Sequence, residues 1–133
     1  MWAADTNVLV RYYTQDDAAQ TSRALAWLHR HAPCFVPVSV VLELYWVLEN
    51  SYQSPVTKVL AALHHLAHSP AFQVESAGAV RQALGLAARG IEFPDALHWA
   101  LSRDCDGLAT FDDKGFARRA KKLGLTPVVV LPD

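Results

Sequence analysis

Apolar and polar residues follow two patterns along this chain, and these predict short buried strands separated by amphipathic helices. Strand-like stretches are short apolar runs bounded by polar residues, whereas helix-like stretches carry apolar residues three and four positions apart. The runs with strand character are residues 1–5, 34–38, 71–74, 107–110 and 126–131. Helices are predicted over residues 17–31, 40–50, 76–89, 94–103 and 114–123, with a further helix opened by Ser54 and Pro55.

Alternation of strands and helices predicts an α/β protein whose parallel sheet is covered by helices on both faces. The 133 residues fit a single domain, residues 1–133. In such sheets the ligand crevice lies beyond the carboxyl ends of the strands. Asp5 and the turn at residues 110–113 are both expected at that edge.

Composition places the chain among folded proteins without a membrane span. Hydrophobic residues make up 52% and charged residues 19%, and no uninterrupted apolar stretch reaches membrane length. The start of the chain lacks the basic and apolar segments of a signal peptide, and Cys34 and Cys105 have no metal or redox spacing, so we expect a cytoplasmic protein. The net charge of -1 argues neither for nor against nucleic acid.

Glu43 is the most informative single residue. Residues 40–48 around it are apolar on nearly every side of the predicted helix, so the helix is expected to be largely buried. A buried glutamate needs an ionic partner or a metal, because unpaired burial costs several kcal/mol. The structural alternative is a salt bridge to an arginine such as Arg11.

Three aspartates have ordinary local explanations when each is taken alone. Asp5 precedes Thr6 and Asn7 in a sequence typical of turns, and both Asp95 and Asp112 suit the start of a helix. The set of four acids is more specific, since no lysine or arginine is adjacent to any of them in the sequence. Such carboxylates repel one another unless a hard cation lies among them.

Four ordered motifs resemble those of PIN-domain ribonucleases, and the set is most similar to the VapC-type toxins of bacterial toxin–antitoxin modules. They are DTNVLVR at residues 5–11, VVLE at 40–43, FPDALH at 93–98 and TFD at 110–112. The resemblance covers essentially the whole chain. Pro94 stands where the family often has alanine, and Asp113 is the alternative to Asp112 as the fourth acid.

The resemblance implies a three-layer α/β/α sandwich with a central parallel sheet of about five strands. It also implies a metal-dependent endoribonuclease that cleaves RNA with an activated water in a pocket of four carboxylates, Asp5, Glu43, Asp95 and Asp112. Mg²⁺ or Mn²⁺ would be bound directly by Asp5 and Asp95. Thr6, Asn7 and Thr110 would hold the carboxylates through hydrogen bonds.

The partners expected are RNA, a second copy of the chain and a small antitoxin protein, with no membrane. Arg118, Arg119 and Lys121 could bind phosphates, although a solvated helix end explains them equally simply. The helices around residues 40–48 and 56–63 offer more apolar surface than one side of a sheet can cover, which favours a homodimer. The antitoxin follows from the resemblance, which implies a basic side chain inserted into the acidic pocket.

Two other functions fit parts of the pattern. A non-catalytic Mg²⁺-binding signalling module could have the same sheet, but its acceptor aspartate is expected after the third strand, where this chain has Val74-Glu75-Ser76. A DNA-directed nuclease is the nearer alternative, because no residue pattern identifies recognition of the ribose 2′-OH.

Overall fold

The chain is organised as two compact units, Met1–Ala77 and Gly78–Asp133, in a computed structural model that describes residues 1–133. The first unit contains α1 Thr6–Thr14, α2 Ala18–His31, β1 Cys34–Val36, α3 Val38–Trp46, α4 Val56–His68 and β2 Phe72–Val74. The second contains α5 Ala77–Ala87, apart from its first residue, followed by α6 Phe93–Leu101, β3 Gly107–Ala109, α7 Arg118–Lys122 and β4 Val128–Val130. None of these helices combines the length and apolar character that a membrane span requires.

In the first unit, β1 and β2 form a parallel pair in which Cys34 lies opposite Phe72. The predicted strand over residues 1–5 is reduced to a single parallel bridge between Ala3 and Phe35. The Ala4 amide donates to the Phe35 carbonyl at 2.9 Å, and the Phe35 amide donates to the Trp2 carbonyl at 2.8 Å. The pairing ends there because Asp5 begins a helix, so the carboxylate still follows directly after the bridged segment.

Helices α2 and α4 of the first unit begin where local sequence predicts them, whereas α3 begins earlier and α1 was not predicted. The predicted helix at residues 17–31 is α2, whose cap Asp17 accepts a hydrogen bond from the Gln20 amide. The predicted helix at residues 40–50 begins earlier as α3, with Pro37 at its cap, and continues as a π-helical turn over Val47–Ser51.

Helix α3 is buried on one side only, which corrects the expectation that it is covered nearly all round. Val40, Val41 and Leu44 are buried, whereas Glu43 and Trp46 are exposed. Positions 43 and 46 are three residues apart and therefore share the outer face of the helix. The apolar character of Trp46 made that outer face resemble a buried one.

In the second unit, β3 and β4 form a parallel pair in which Gly107 lies opposite Val128. The Trp99 indole donates to the Pro127 carbonyl at 2.8 Å, which ties α6 to the start of β4. The predicted final helix is divided into a π-helical turn, Asp113–Ala117, and α7. The sheets found are the two short parallel pairs, so the α/β class is confirmed while the five-stranded sandwich stays a prediction.

Candidate functional site

Asp5 caps the first helix of the chain. Its Oδ1 accepts a hydrogen bond from the Thr6 amide at 2.7 Å, while the side chain remains exposed. The Thr6 hydroxyl is buried and has no hydrogen-bond partner. A buried hydroxyl without a partner is costly, and such groups concentrate where a ligand or water completes the site. Capping and ligand binding are therefore compatible roles for this turn.

The first unit brings Asp5 and Glu43 to one cavity of about 370 Å³. Thr6 and Asn7, which the sequence predicts as supporting residues, line the same cavity. Because Asp5 starts α1 and Glu43 lies on the outer face of α3, the packing of two helices produces this arrangement. Two of the four predicted acids, and the two residues that follow Asp5 in the first motif, thus line the same cavity.

Arg11 also lines this cavity, but its guanidinium is bound elsewhere. Nη1 donates to Asp16 Oδ1 at 2.8 Å and to the Tyr52 hydroxyl at 3.0 Å, and Nε donates to Gln20 at 2.6 Å. The hydrogen bond that Arg11 donates to the Tyr52 hydroxyl is the main cause of the raised pKa of Arg11. Hydrogen bonds from Tyr52 and Thr14 lower the pKa of Asp16.

Glu43 makes neither the salt bridge to Arg11 that was its structural alternative nor any other ion pair or hydrogen bond. Its exposure also shows that the argument from burial was wrong. Solvent, rather than a charged partner, stabilises this carboxylate, so no desolvation penalty has to be offset. Glu43 is consequently an unpaired acid at the edge of the cavity that also contains Asp5.

The second unit brings Asp95 and Asp112 to a small cavity of about 30 Å³. Asp95 is half-buried in the first turn of α6. Burial raises the pKa of Asp95, and the negative charges of Glu92 and Asp112 raise it further, against a smaller opposing effect of His98. Glu92 also lines the cavity and was not singled out from the sequence. The acids there repel one another, as expected of a cation-binding group.

A glycine fixes the position of Asp112. Asp112 caps the π-helical turn by accepting a hydrogen bond from the Gly115 amide at 2.9 Å. A Cβ at position 115 would lie only 2.7 Å from Asp112 Oδ2, so the carboxylate occupies space that only glycine leaves open. The Asp112 amide donates to the Thr110 hydroxyl at 3.1 Å, which gives Thr110 a supporting contact. Gly115 was missed because an ordinary helix was predicted from residue 114, whereas the close approach belongs to a π-helical turn that begins at Asp113.

The predicted basic residues do not act as one patch. Arg119 lines the small cavity with Asp95 and Asp112 and donates to the Gly90 carbonyl at 2.8 Å. Arg118 and Lys121 instead line a separate cavity of about 620 Å³ beside β4, together with Asp113. Asp113 therefore lies apart from the cavity of Asp95, whereas Asp112 borders it.

The residues present suit a hard divalent cation. Their donors are carboxylate and hydroxyl oxygens, which Mg²⁺ and Mn²⁺ prefer. The unpartnered Thr6 hydroxyl and the repulsion that raises the pKa of Asp95 are both features that a bound cation and its waters would relieve. Within neither unit do three or more histidine, cysteine, aspartate or glutamate side chains form a metal-binding group. Each unit contains one pair of the predicted acids.

The family model of the PIN domain matches residues 3–122, a range that contains every acid described above. No curated protein is similar enough to count as a relative. The family match extends over nearly the whole chain and includes both carboxylate pairs. The chain therefore belongs to the PIN-domain family, whose members are generally metal-dependent nucleases.

Proposed function

We propose that the protein is a Mg²⁺- or Mn²⁺-dependent endoribonuclease that acts as the toxin of a toxin–antitoxin pair. The observation that carries the proposal is the pairing of acids inside a PIN-domain match: Asp5 with Glu43, and Asp95 with Asp112. Five acids and two arginines line these two cavities, which gives the excess of negative charge that a site for a divalent cation requires. The proposal includes a cytoplasmic location, with which the free thiols of Cys34 and Cys105 agree.

In this mechanism Asp5 and Asp95 would bind the metal directly, and Glu43 and Asp112 would bind it through water or position a second ion. A bound divalent ion would make a water more acidic and offset the charge that develops on the phosphate. The capping bonds from Thr6 and Gly115 amides hold Asp5 and Asp112 in fixed orientations before substrate arrives. Thr110 supports the backbone of Asp112, and the Thr6 hydroxyl is free to bind a water.

We assign phosphate binding to Arg119, which lies beside the acids of the second unit. A cation there can contact a phosphate oxygen next to the scissile bond. Arg118 and Lys121 would contact phosphates farther along the strand. The test is to incubate metal-free protein with total RNA and with DNA, restore Mg²⁺ and map the cleaved ends. Cleavage of RNA alone supports the proposal, cleavage of DNA favours a DNA-directed nuclease, and no cleavage of either contradicts both.

A homodimer is part of the proposal, and exposed apolar side chains support it. Trp46 of α3 and Val56 of α4 are 45% and 53% exposed, respectively, although both are large apolar residues on neighbouring helices. A two-fold axis makes such a surface complementary to itself. Light scattering at micromolar concentration should give the mass of a dimer or a larger assembly. A strictly monomeric species contradicts this part of the proposal.

The antitoxin we propose is a small protein that places a basic side chain among the acids. An arginine would pair with the same carboxylates that bind the metal, so antitoxin and metal would compete. Expression of the protein alone should therefore arrest growth, and expression of the Asp5→Asn variant should not. Normal growth with soluble parent protein contradicts the toxin role while leaving the nuclease activity open to the cleavage assay.

A further inference from the structure

A cleft of about 770 Å³ in the first unit is not used by the mechanism above. It extends from Asp5 and Asn7 at the start of α1, along α2, to Trp2 and Trp27. Its volume lies within the range of roughly 300–1,000 Å³ typical of pockets that hold small ligands. The cleft therefore leads from one of the proposed catalytic acids to a pair of tryptophans.

The aromatic end of the cleft is a cluster of three rings. Trp2 packs edge-to-face against Trp27 with ring centroids 6.0 Å apart, and His31 lies 4.7 Å from Trp27 and 5.6 Å from Trp2. Trp2 nevertheless remains 60% exposed. Tryptophan is normally well buried, and an accessible aromatic cluster in a concave site is a feature of ligand recognition.

One face of α2 supplies a cation next to these rings. Arg23, Trp27 and His31 follow one another at intervals of four residues, so they share one helix face. Arg23 is exposed, lines the cleft and makes no ion pair or hydrogen bond, in contrast to Arg11. An unpaired arginine next to accessible indoles can contact a phosphate while the rings contact the neighbouring base.

We propose that this cleft binds single-stranded RNA, with a nucleobase stacked on the Trp2 and Trp27 cluster and the adjoining phosphate bound by Arg23. The proposal rests on the ribonuclease function above and adds a base-stacking site on one side of Asp5. Single-stranded nucleic acid is recognised by aromatic rings together with positive charge. An apolar protein segment would fill the apolar part of the cleft but would not pair with Arg23, whereas RNA supplies both a base for the rings and a phosphate for the arginine, so RNA is favoured.

Binding can be measured without cleavage, which separates this proposal from the catalytic one. The probe is a labelled oligoadenylate of about eight nucleotides, a length within the usual site sizes for single strands, titrated in EDTA and read by fluorescence anisotropy. Trp2→Ala and Trp27→Ala should weaken binding by about tenfold or more, the size expected for loss of one stacked base. Arg23→Gln should weaken binding and reduce the salt dependence by about one phosphate contact.

Matched controls separate stacking from general loss of structure or charge. Leu25→Ala changes an exposed apolar residue of α2 outside the cleft, and Arg89→Gln removes an exposed cation from the second unit. Both should bind the probe as the parent does. Trp27→Phe keeps an aromatic ring and should retain most of the affinity, while an abasic probe of equal length should no longer distinguish Trp2→Ala from the parent.

Equal affinity of the tryptophan variants and the Leu25→Ala control overturns the proposal, as does failure of the parent to bind the oligoadenylate. If RNA binding is unchanged but the tryptophan variants lose mass in light scattering, the cluster is a protein interface and the proposal is wrong. Tryptophan-dependent binding without any cleavage in Mg²⁺ keeps the binding site and rejects the nuclease function. Cleavage in Mg²⁺ with binding that does not depend on the tryptophans keeps the nuclease function and rejects the binding site.

Discussion

The carboxylate of Asp112 lies where a side chain at position 115 would be, since a Cβ on Gly115 would come within 2.7 Å of Oδ2 and 2.8 Å of Oδ1. The π-helical turn is thus built around a glycine that lets an acid bond to its amide. Gly115 has no role of its own in binding a metal, but it determines where Asp112 can be.

Gly115→Ala should impair catalysis far more than folding. The added methyl group displaces a flexible side chain, so the free energy of unfolding should change by no more than about 1 kcal/mol. A displacement of Asp112 by about 1 Å can reduce the cleavage rate by up to about a hundredfold. The control is Gly85→Ala in α5, where no atom lies within 4 Å of the new methyl group. Parent-like cleavage by Gly115→Ala would show that the position of Asp112 is unimportant.

Asp95→Asn should stabilise the metal-free protein near neutral pH. Burial and the charges of Glu92 and Asp112 raise the pKa of Asp95. A carboxyl group whose pKa is raised in the folded state destabilises that state when it is ionised. The free energy of unfolding is therefore highest below the unfolded pKa of about 4 and is lost as pH rises through the folded value. Thermal melts in EDTA should therefore show an advantage for Asp95→Asn at about pH 7 that disappears below about pH 4.

The comparison for this variant is Asp104→Asn, which changes an exposed aspartate without hydrogen-bond partners. Its melting temperature should follow that of the parent throughout the same pH range. If Asp95→Asn melts below the parent at neutral pH, the favourable charge at the start of α6 outweighs the repulsion, and the electrostatic account is wrong.

Glu43→Gln should leave the stability of the metal-free protein nearly unchanged, within about 0.5 kcal/mol. The reason is the exposure of Glu43 and its lack of an ionic partner, which remove both a desolvation penalty and a salt bridge. The rise in melting temperature on addition of Mn²⁺ should nevertheless be smaller than in the parent, because one acid of the site is lost. Identical shifts in the two proteins would remove Glu43 from the metal site.

Asp16→Asn should destabilise the protein at neutral pH but not in acid. Hydrogen bonds from Tyr52 and Thr14, with the charge of Arg11, lower the pKa of Asp16. A carboxyl group with a lowered folded-state pKa contributes stability above its unfolded pKa of about 4, which is lost as pH falls through the folded value. The difference in melting temperature between parent and variant should therefore shrink from about pH 5 to about pH 2. A constant difference would mean that the ionised Asp16 contributes nothing.

Local sequence predicts the elements that depend on local interactions. Helix α2 matches its prediction to within one residue, because the Asp17 cap and the periodic apolar stripe are both contained in the segment. The first strand was overestimated, since its extent depends on pairing with Phe35, far along the chain. A run of apolar residues predicts that a segment joins a sheet, but it does not determine how many of its residues pair.

In the candidate site, too, features that depend on local interactions could be predicted and features that depend on distant contacts could not. Asp5 and Asp112 are recognisable from their motifs, and both also serve as the helix caps that were their ordinary explanation. The burial of Glu43 could not be judged, because an apolar residue such as Trp46 can lie on the exposed face of a helix. The cluster of Trp2 with Trp27 depends on tertiary packing, so no local pattern predicts it. The contact of Gly115 with Asp112 is local, but it belongs to a π-helical turn where an ordinary helix was predicted.

The most direct measurement compares the rates of Mg²⁺-dependent RNA cleavage by the parent, Asp5→Asn and Asp95→Asn, with Asp104→Asn as the folded control. Loss of a direct metal ligand should reduce the rate by at least about a hundredfold. Asp104→Asn should cut as fast as the parent, and EDTA should stop cleavage in every case. Parent-like cleavage by either of the first two variants, or cleavage that persists in EDTA, would contradict the assignment of a metal-dependent ribonuclease to these acids.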